Sequence, residues 1–96
     1  MFLVVSHWEA LPGHEAQAEQ AGAAVRDVLQ RQPGVELVAA FWNGARITAV
    51  HGYRDAAAYT AVVDDPAGEF QKALDRTQME QHARWIDSER GETMPG

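Results

Sequence analysis

The stretch Val35–Tyr53, VELVAAFWNGARITAVHGY, holds two apolar, β-rich runs separated by Asn43-Gly44. Asn-Gly is the strongest short-range hairpin signal, because both central residues of a type I′ turn need positive φ and these two adopt it most cheaply. With that pair at the centre, Trp42 faces Ala45 and the side chains sort onto two faces with a period of two. Trp42, Ala40, Val38, Ala45, Ile47, Ala49 and Tyr53 share one face, and Phe41, Ala39, Leu37, Val35, Thr48 and Val50 share the other. Neither set is polar. A sheet that is apolar on both sides needs two covers, and the rest of the chain holds helices for one. The expected second cover is another copy of the chain.

Outward from the hairpin, Phe2 to Trp8 reads as a strand with β-branched Val4 and Val5, ending before the turn signal Leu11-Pro12-Gly13. From His14 the pattern is helical. Ala21, Ala24, Val25, Val28 and Leu29 recur on one face, and Pro33-Gly34 stops the helix. After the hairpin, Asp55 is placed to cap a helix over Ala56 to Val63, since its carboxylate can accept from the free amides of the first turn. Asp65-Pro66 reads as a second helix start, with Asp at N-cap and Pro at the first helical position, and Phe70, Ala73, Leu74 and Thr77 continue the stripe. Ala83 to Glu89 is the expected last strand, followed by a loose tail over 91–96. The order strand–helix–strand, strand–helix–strand is a split βαβ pattern in a single domain spanning 1–96, with its core in 1–90.

Composition narrows the function. A hydrophobic fraction of 46% and a charged fraction of 23% are those of a globular protein. Eight Lys and Arg against fourteen acids, a net charge of −6, supply no basic patch for nucleic acid or an anionic membrane surface. The expected partners are a small molecule and the chain itself. No cysteine is present, which removes thiolate nucleophiles and thiolate metal sites. Neither a signal-peptide core nor a stretch of membrane-spanning length is found, and the expected location is the cytoplasm.

Three pieces carry a resemblance: the opening FLVVSHWEALPGHE, the helix end LQRQPGVE, and the strand-to-helix run AVHGYRDAAAYTAVV followed by DDP and Phe70. They resemble the antibiotic biosynthesis monooxygenase (ABM) domain family of ferredoxin-like dimeric α+β barrels. In that family the first strand ends in a Pro-Gly or Lys-Gly turn, the first helix ends at Pro-Gly, and the third strand runs into an aromatic-acidic helix start, here Tyr53-Arg54-Asp55 with Ala58 and Tyr59. The resemblance covers the chain to about Leu74. It implies an α+β fold with an antiparallel sheet, a homodimer whose two sheets close a barrel, and an apolar cavity between sheet and helices. It also implies cofactor-independent oxygenase chemistry on a hydrophobic aromatic ligand, with no cofactor and no metal. The family also holds haem-degrading members, which use an Asn, a Trp and a His that fall at Ser6, Val62 and Leu74 here. None is retained, so the resemblance does not extend to haem degradation. A non-catalytic ligand-binding or structural barrel, and an isomerase or lyase, are the alternatives on this fold.

Four residues are the candidate catalytic set: His7, His51, Tyr53 and Tyr59. The hairpin register places His51 opposite Glu36, where a carboxylate would raise its pKa and orient the ring for proton abstraction at neutral pH. The structural alternative is a pair that closes the end of the strand ladder. His7 lies among apolar neighbours on the first strand, where it either enters a cavity or hydrogen-bonds at an edge. Tyr53 and Tyr59 could offer a hydroxyl to a carbonyl or quinone, or simply fill the core. His14 and His82 complete a set of four histidines with no regular ligand spacing, which argues against a metal site.

Overall fold

In the computed structural model, which describes all 96 residues, the elements run β1 (Phe2–Ala10), α1 (Glu15–Leu29), β2 (Val35–Asn43), β3 (Arg46–Tyr53), α2 (Ala56–Val63), α3 (Glu69–Thr77), a short 3₁₀ turn (Met79–Gln81) and β4 (Ala83–Glu92). The four strands form one antiparallel sheet in the order β2-β3-β1-β4. Each βαβ half therefore straddles a strand of the other, as the split βαβ reading expects. The last strand reaches Glu92, three residues beyond the expected Glu89, and takes in Gly91 and Glu92 from the supposed tail. Pairing of Gly91 with Leu3 and Glu92 with Phe2 extends it.

The hairpin slides relative to its expected register. Asn43 pairs with Arg46 and Trp42 with Ile47, so Gly44 and Ala45 are the central residues. Gly44 alone has positive φ, +63°. A glycine at the first central position suits a II′-type turn, which leaves Asn43 free to continue the strand. The slide amounts to a whole pleat, so the residues from Leu37 to Trp42 keep their expected faces while their partners change. A bulge between Val35 and Leu37 then leaves Glu36 unpaired and exposed and turns Val35, expected beside Leu37 and Phe41, to the helix side with Tyr53.

The three helices cover one face of the sheet. α1 lies close because Ala18, Ala21 and Gly22 are its buried residues beside Val25 and Leu29. Its exit needs glycine: Gly34 has φ +81°, and a Cβ there would stand 2.7 Å from that of Ala58. Asp55 caps α2 as expected, accepting from the Ala58 amide at 2.8 Å. α3 starts later than expected. Asp65 accepts from the Ala67 amide at 3.0 Å in a turn, and Gly68 is the N-cap.

Two groups of core residues form under the helices. One joins Ala10, Ala18, Ala21, Ile47, Met79 and Ala83; the other joins Val4, Leu29, Tyr53, Ala58 and Val62. No helix covers the opposite face, which carries Leu3, Val5, Leu37, Ala39, Phe41 and Val50. Leu37 is 39% exposed there and Phe41 57%. No helix is long and apolar enough to cross a membrane.

Candidate functional site

Between the two core groups the sheet and helices leave a cavity of about 80 Å³, opening into a hollow of about 550 Å³ that includes its mouth. Trp8, Ile47, Leu74 and Met79 line it from one group, and Leu29, Val38 and Phe70 from the other. Eleven of its fifteen lining residues are hydrophobic. The remainder are Gly22, Ser6, Arg26 and His51, and no acidic side chain reaches it. An apolar hollow with a few convergent polar groups is the usual form of a small-molecule site.

His51 faces the helix side of β3 and lines this cavity. Its strand partners are Val4 and Val38, not Glu36. The hairpin slide and the bulge at Glu36 remove the expected carboxylate, and with it the reason for a raised pKa. Burial instead pulls the imidazole down to about 4, helped by the Arg90 guanidinium. Its Nδ1 lies 2.6 Å from the Tyr53 hydroxyl. Tyr53 is 0% exposed, and burial, together with Tyr59, pushes its phenol above the ordinary tyrosine value. The phenol therefore keeps its proton. No other acceptor for it is present, so it donates to Nδ1, which puts the His51 hydrogen on Nε2. Nε2 has no protein partner and is not sealed off. At neutral pH the imidazole is uncharged, and with the phenol donating to Nδ1 it lacks the carboxylate partner expected from the sequence.

Tyr59, on α2, completes an aromatic file. Its ring stands edge-on to Tyr53 at 5.3 Å and lies 5.2 Å from Phe2, with the Arg90 guanidinium 5.7 Å over it. Neither tyrosine lines the cavity; both stand behind His51. His7 is elsewhere. It has the opposite parity on β1, on the face without helices, and its Nδ1 pairs with Asp87 at 2.6 Å. The structure thus brings His51, Tyr53 and Tyr59 together and separates His7 from them. His14 and His82 meet at the far side of the chain's first turn, Nδ1 to Nδ1 at 3.1 Å. No three His, Asp or Glu side chains converge in a way that could hold a metal ion.

Ser6 and Arg26 are cavity residues that the sequence reading does not single out. Parity on β1 is the available signal for Ser6, since Val4, Ser6 and Trp8 alternate onto the helix side. For Arg26 the signal is Gly22, one turn earlier on the same helix.

No family model matches the sequence, and no curated protein matches it. Among solved structures, SnoaB from Streptomyces nogalater, a cofactor-independent oxygenase, superposes with a TM-score of 0.81 at 14% identity, over 99% of this chain and 94% of that one. An antibiotic biosynthesis monooxygenase matches with a TM-score of 0.79 at 14% identity, over 99% and 100% of the two chains. Rv0793 from Mycobacterium tuberculosis matches with a TM-score of 0.79 at 12% identity, over 99% and 96%. At these identities the likeness is one of fold.

Proposed function

We propose that this chain, with its antibiotic biosynthesis monooxygenase-like α+β fold, is a small cofactor-independent oxygenase acting on a hydrophobic aromatic compound held between sheet and helices. The observation that carries this reading is the cavity itself: apolar walls, no carboxylate, and a neutral His51 whose Nε2–H is free. Such a donor stabilises an oxygen that gains negative charge, as a phenol or an enol does on passing its proton to solvent water. The electron-rich anion is the species that reduces dioxygen. For a methylene between two aromatic rings the balance is simple. Two C–H bonds are lost, one oxygen atom enters as a ketone, and the other leaves as water. Tyr53 fixes the tautomer and orientation of His51, and Tyr59 packs behind Tyr53; both are positioning residues.

A second copy of the chain closes the uncovered face of the sheet. The exposure of Phe41 and Leu37 on a face that no helix covers supports this. Native mass spectrometry of the purified protein tests it.

Oxygen uptake with anthrone and with 1,4-dihydroxynaphthalene tests the chemistry. Turnover should fall roughly 10²-fold in His51→Ala, the scale of losing one oxyanion donor, and stay unchanged in His7→Ala. Turnover that proceeds without oxygen would make the protein an isomerase or lyase. Binding without any turnover would make it a ligand-binding barrel.

A further inference from the structure

Arg26 is the one permanent charge on the cavity wall, and it has no ionic partner in the protein. Glu19, two turns earlier on α1, attracts it but is engaged elsewhere, accepting the Trp42 indole N–H at 2.9 Å. Arg26 is half-buried, so part of its hydration is lost with no ion-pair contact in return. The helix also makes room for it. Residues four apart meet on a helix surface, and a Cβ on Gly22 would lie 2.9 Å from the Arg26 Nη1. Glycine inside a helix is disfavoured against alanine, and α1 is otherwise rich in alanine. The absent methyl group is the space in which the guanidinium lies along the cavity.

The remaining polar groups agree in sign. Ser6 and the His51 Nε2–H can both donate, and nothing on the wall would repel an anion. The rest of the molecule, with a net charge of −6, works against anions binding at random. A guanidinium presents its N–H groups as a planar fork that matches two acceptor oxygens or two lone pairs of one.

We infer that Arg26 is a specificity-determining residue and that the cavity selects an aromatic molecule bearing an ionised oxygen group over its neutral counterpart. This rests on the cavity being the substrate site, as proposed above. An unpaired cation already in place lets the ligand's charge supply what the fold leaves missing.

Isothermal titration of the full chain at pH 7.5 with 2-naphthoate and with 2-naphthamide isolates the charge, because the two have nearly the same shape. Naphthoate should bind roughly tenfold to a hundredfold more tightly, the range of a charge-assisted hydrogen bond. Arg26→Met should abolish the difference while leaving naphthamide binding unchanged. Since the Arg26 side chain makes no ion pair or hydrogen bond, the variant should fold, which circular dichroism checks. Arg26→Lys keeps the charge without the fork and should fall between. Gly22→Ala should reduce the preference when Arg26 is present and change nothing in the Arg26→Met background, a coupling that general helix stabilisation would not produce. Equal wild-type affinities, or a preference that survives Arg26→Met, would overturn the assignment and leave the oxygenase reading standing. Binding of neither probe would overturn both, by removing the cavity as a ligand site.

Discussion

His51 should make this fold acid-sensitive well above the pH at which its carboxylates titrate. In the unfolded chain an imidazole titrates near 6.5, whereas burial and Arg90 hold His51 at about 4 in the folded one. Between those values the unfolded state binds a proton that the folded state refuses, so stability falls as pH falls through that window. At about 1.4 kcal/mol per pH unit, the separation amounts to about 3 kcal/mol once pH 4 is passed, of which about 2.5 kcal/mol is lost by pH 4.5. That is a large share of the roughly 5–15 kcal/mol that stabilises a domain. Asp55 does not blur the window. Its carboxyl is held below the ordinary 3.8 by the Ala58 amide, so its contribution is lost only at lower pH. The assay is urea unfolding from pH 7.5 to 4.5 of the wild type and of His51→Gln, whose side-chain carbonyl can accept from Tyr53 without titrating. The other three histidines are common to both proteins and cancel in the difference. The wild type should lose about 2.5 kcal/mol more than the variant across that range. Parallel stability curves, or an NMR titration with a His51 midpoint near 6.5, would refute the reasoning.

Removing the hydroxyl in Tyr53→Phe leaves the His51 Nδ1 without its donor and should cost about 1–2 kcal/mol, a drop in Tm on the order of 5–10 °C. An unchanged melting curve would mean that the 2.6 Å contact does not hold the histidine. Two glycines with positive φ should respond unequally to alanine. Gly34→Ala meets both the conformational penalty and the Ala58 methyl at 2.7 Å, whereas Gly44→Ala has nothing within 4 Å. Urea unfolding should show about 1 kcal/mol for Gly44 and 2–3 kcal/mol or more for Gly34, and equal losses would contradict the close packing of α2 on the α1 exit. On the uncovered face, Phe41→Glu should convert dimers to folded monomers in native mass spectrometry, and dimers that persist would place the interface elsewhere.

The two faces of the sheet were legible because alternation of side chains follows from the pleat alone, and Leu37, Phe41 and Val50 fall opposite Val38, Trp42 and His51 whatever the turn does. The pairing between strands was not. Asn43-Gly44 and Gly44-Ala45 both make acceptable hairpins, and moving from one to the other shifts the ladder by a full pleat, which leaves the hydrophobic pattern unchanged. Pattern cannot distinguish two registers that bury the same residues. Helix starts show the same degeneracy: Asp55 caps a helix and Asp65 caps a turn, with the same atom type in the same role, and what separates them is that α2 buries Ala58 in its first turn and Val62 one turn later, whereas the residues straight after Asp65 bury nothing.

The degeneracy decides chemistry as well as geometry. Opposite Glu36, His51 would be a base; opposite Val38, beneath the helices, it is a donor. The residue that fixes the second outcome, Tyr53, was within reach of the sequence, since positions two apart on a strand share a face. What the sequence withheld was which atom gives the proton. That depends on Tyr53 being sealed by Ala58 and Tyr59 of α2, so that its phenol must spend its hydrogen on Nδ1 and leave Nε2–H for the cavity. Arg26 follows the same logic from the other wall. A guanidinium on an apolar helix reads as a solvated charge until Gly22 is seen to make a place for it, and only then do the two walls present one sign of partial charge to whatever binds between them.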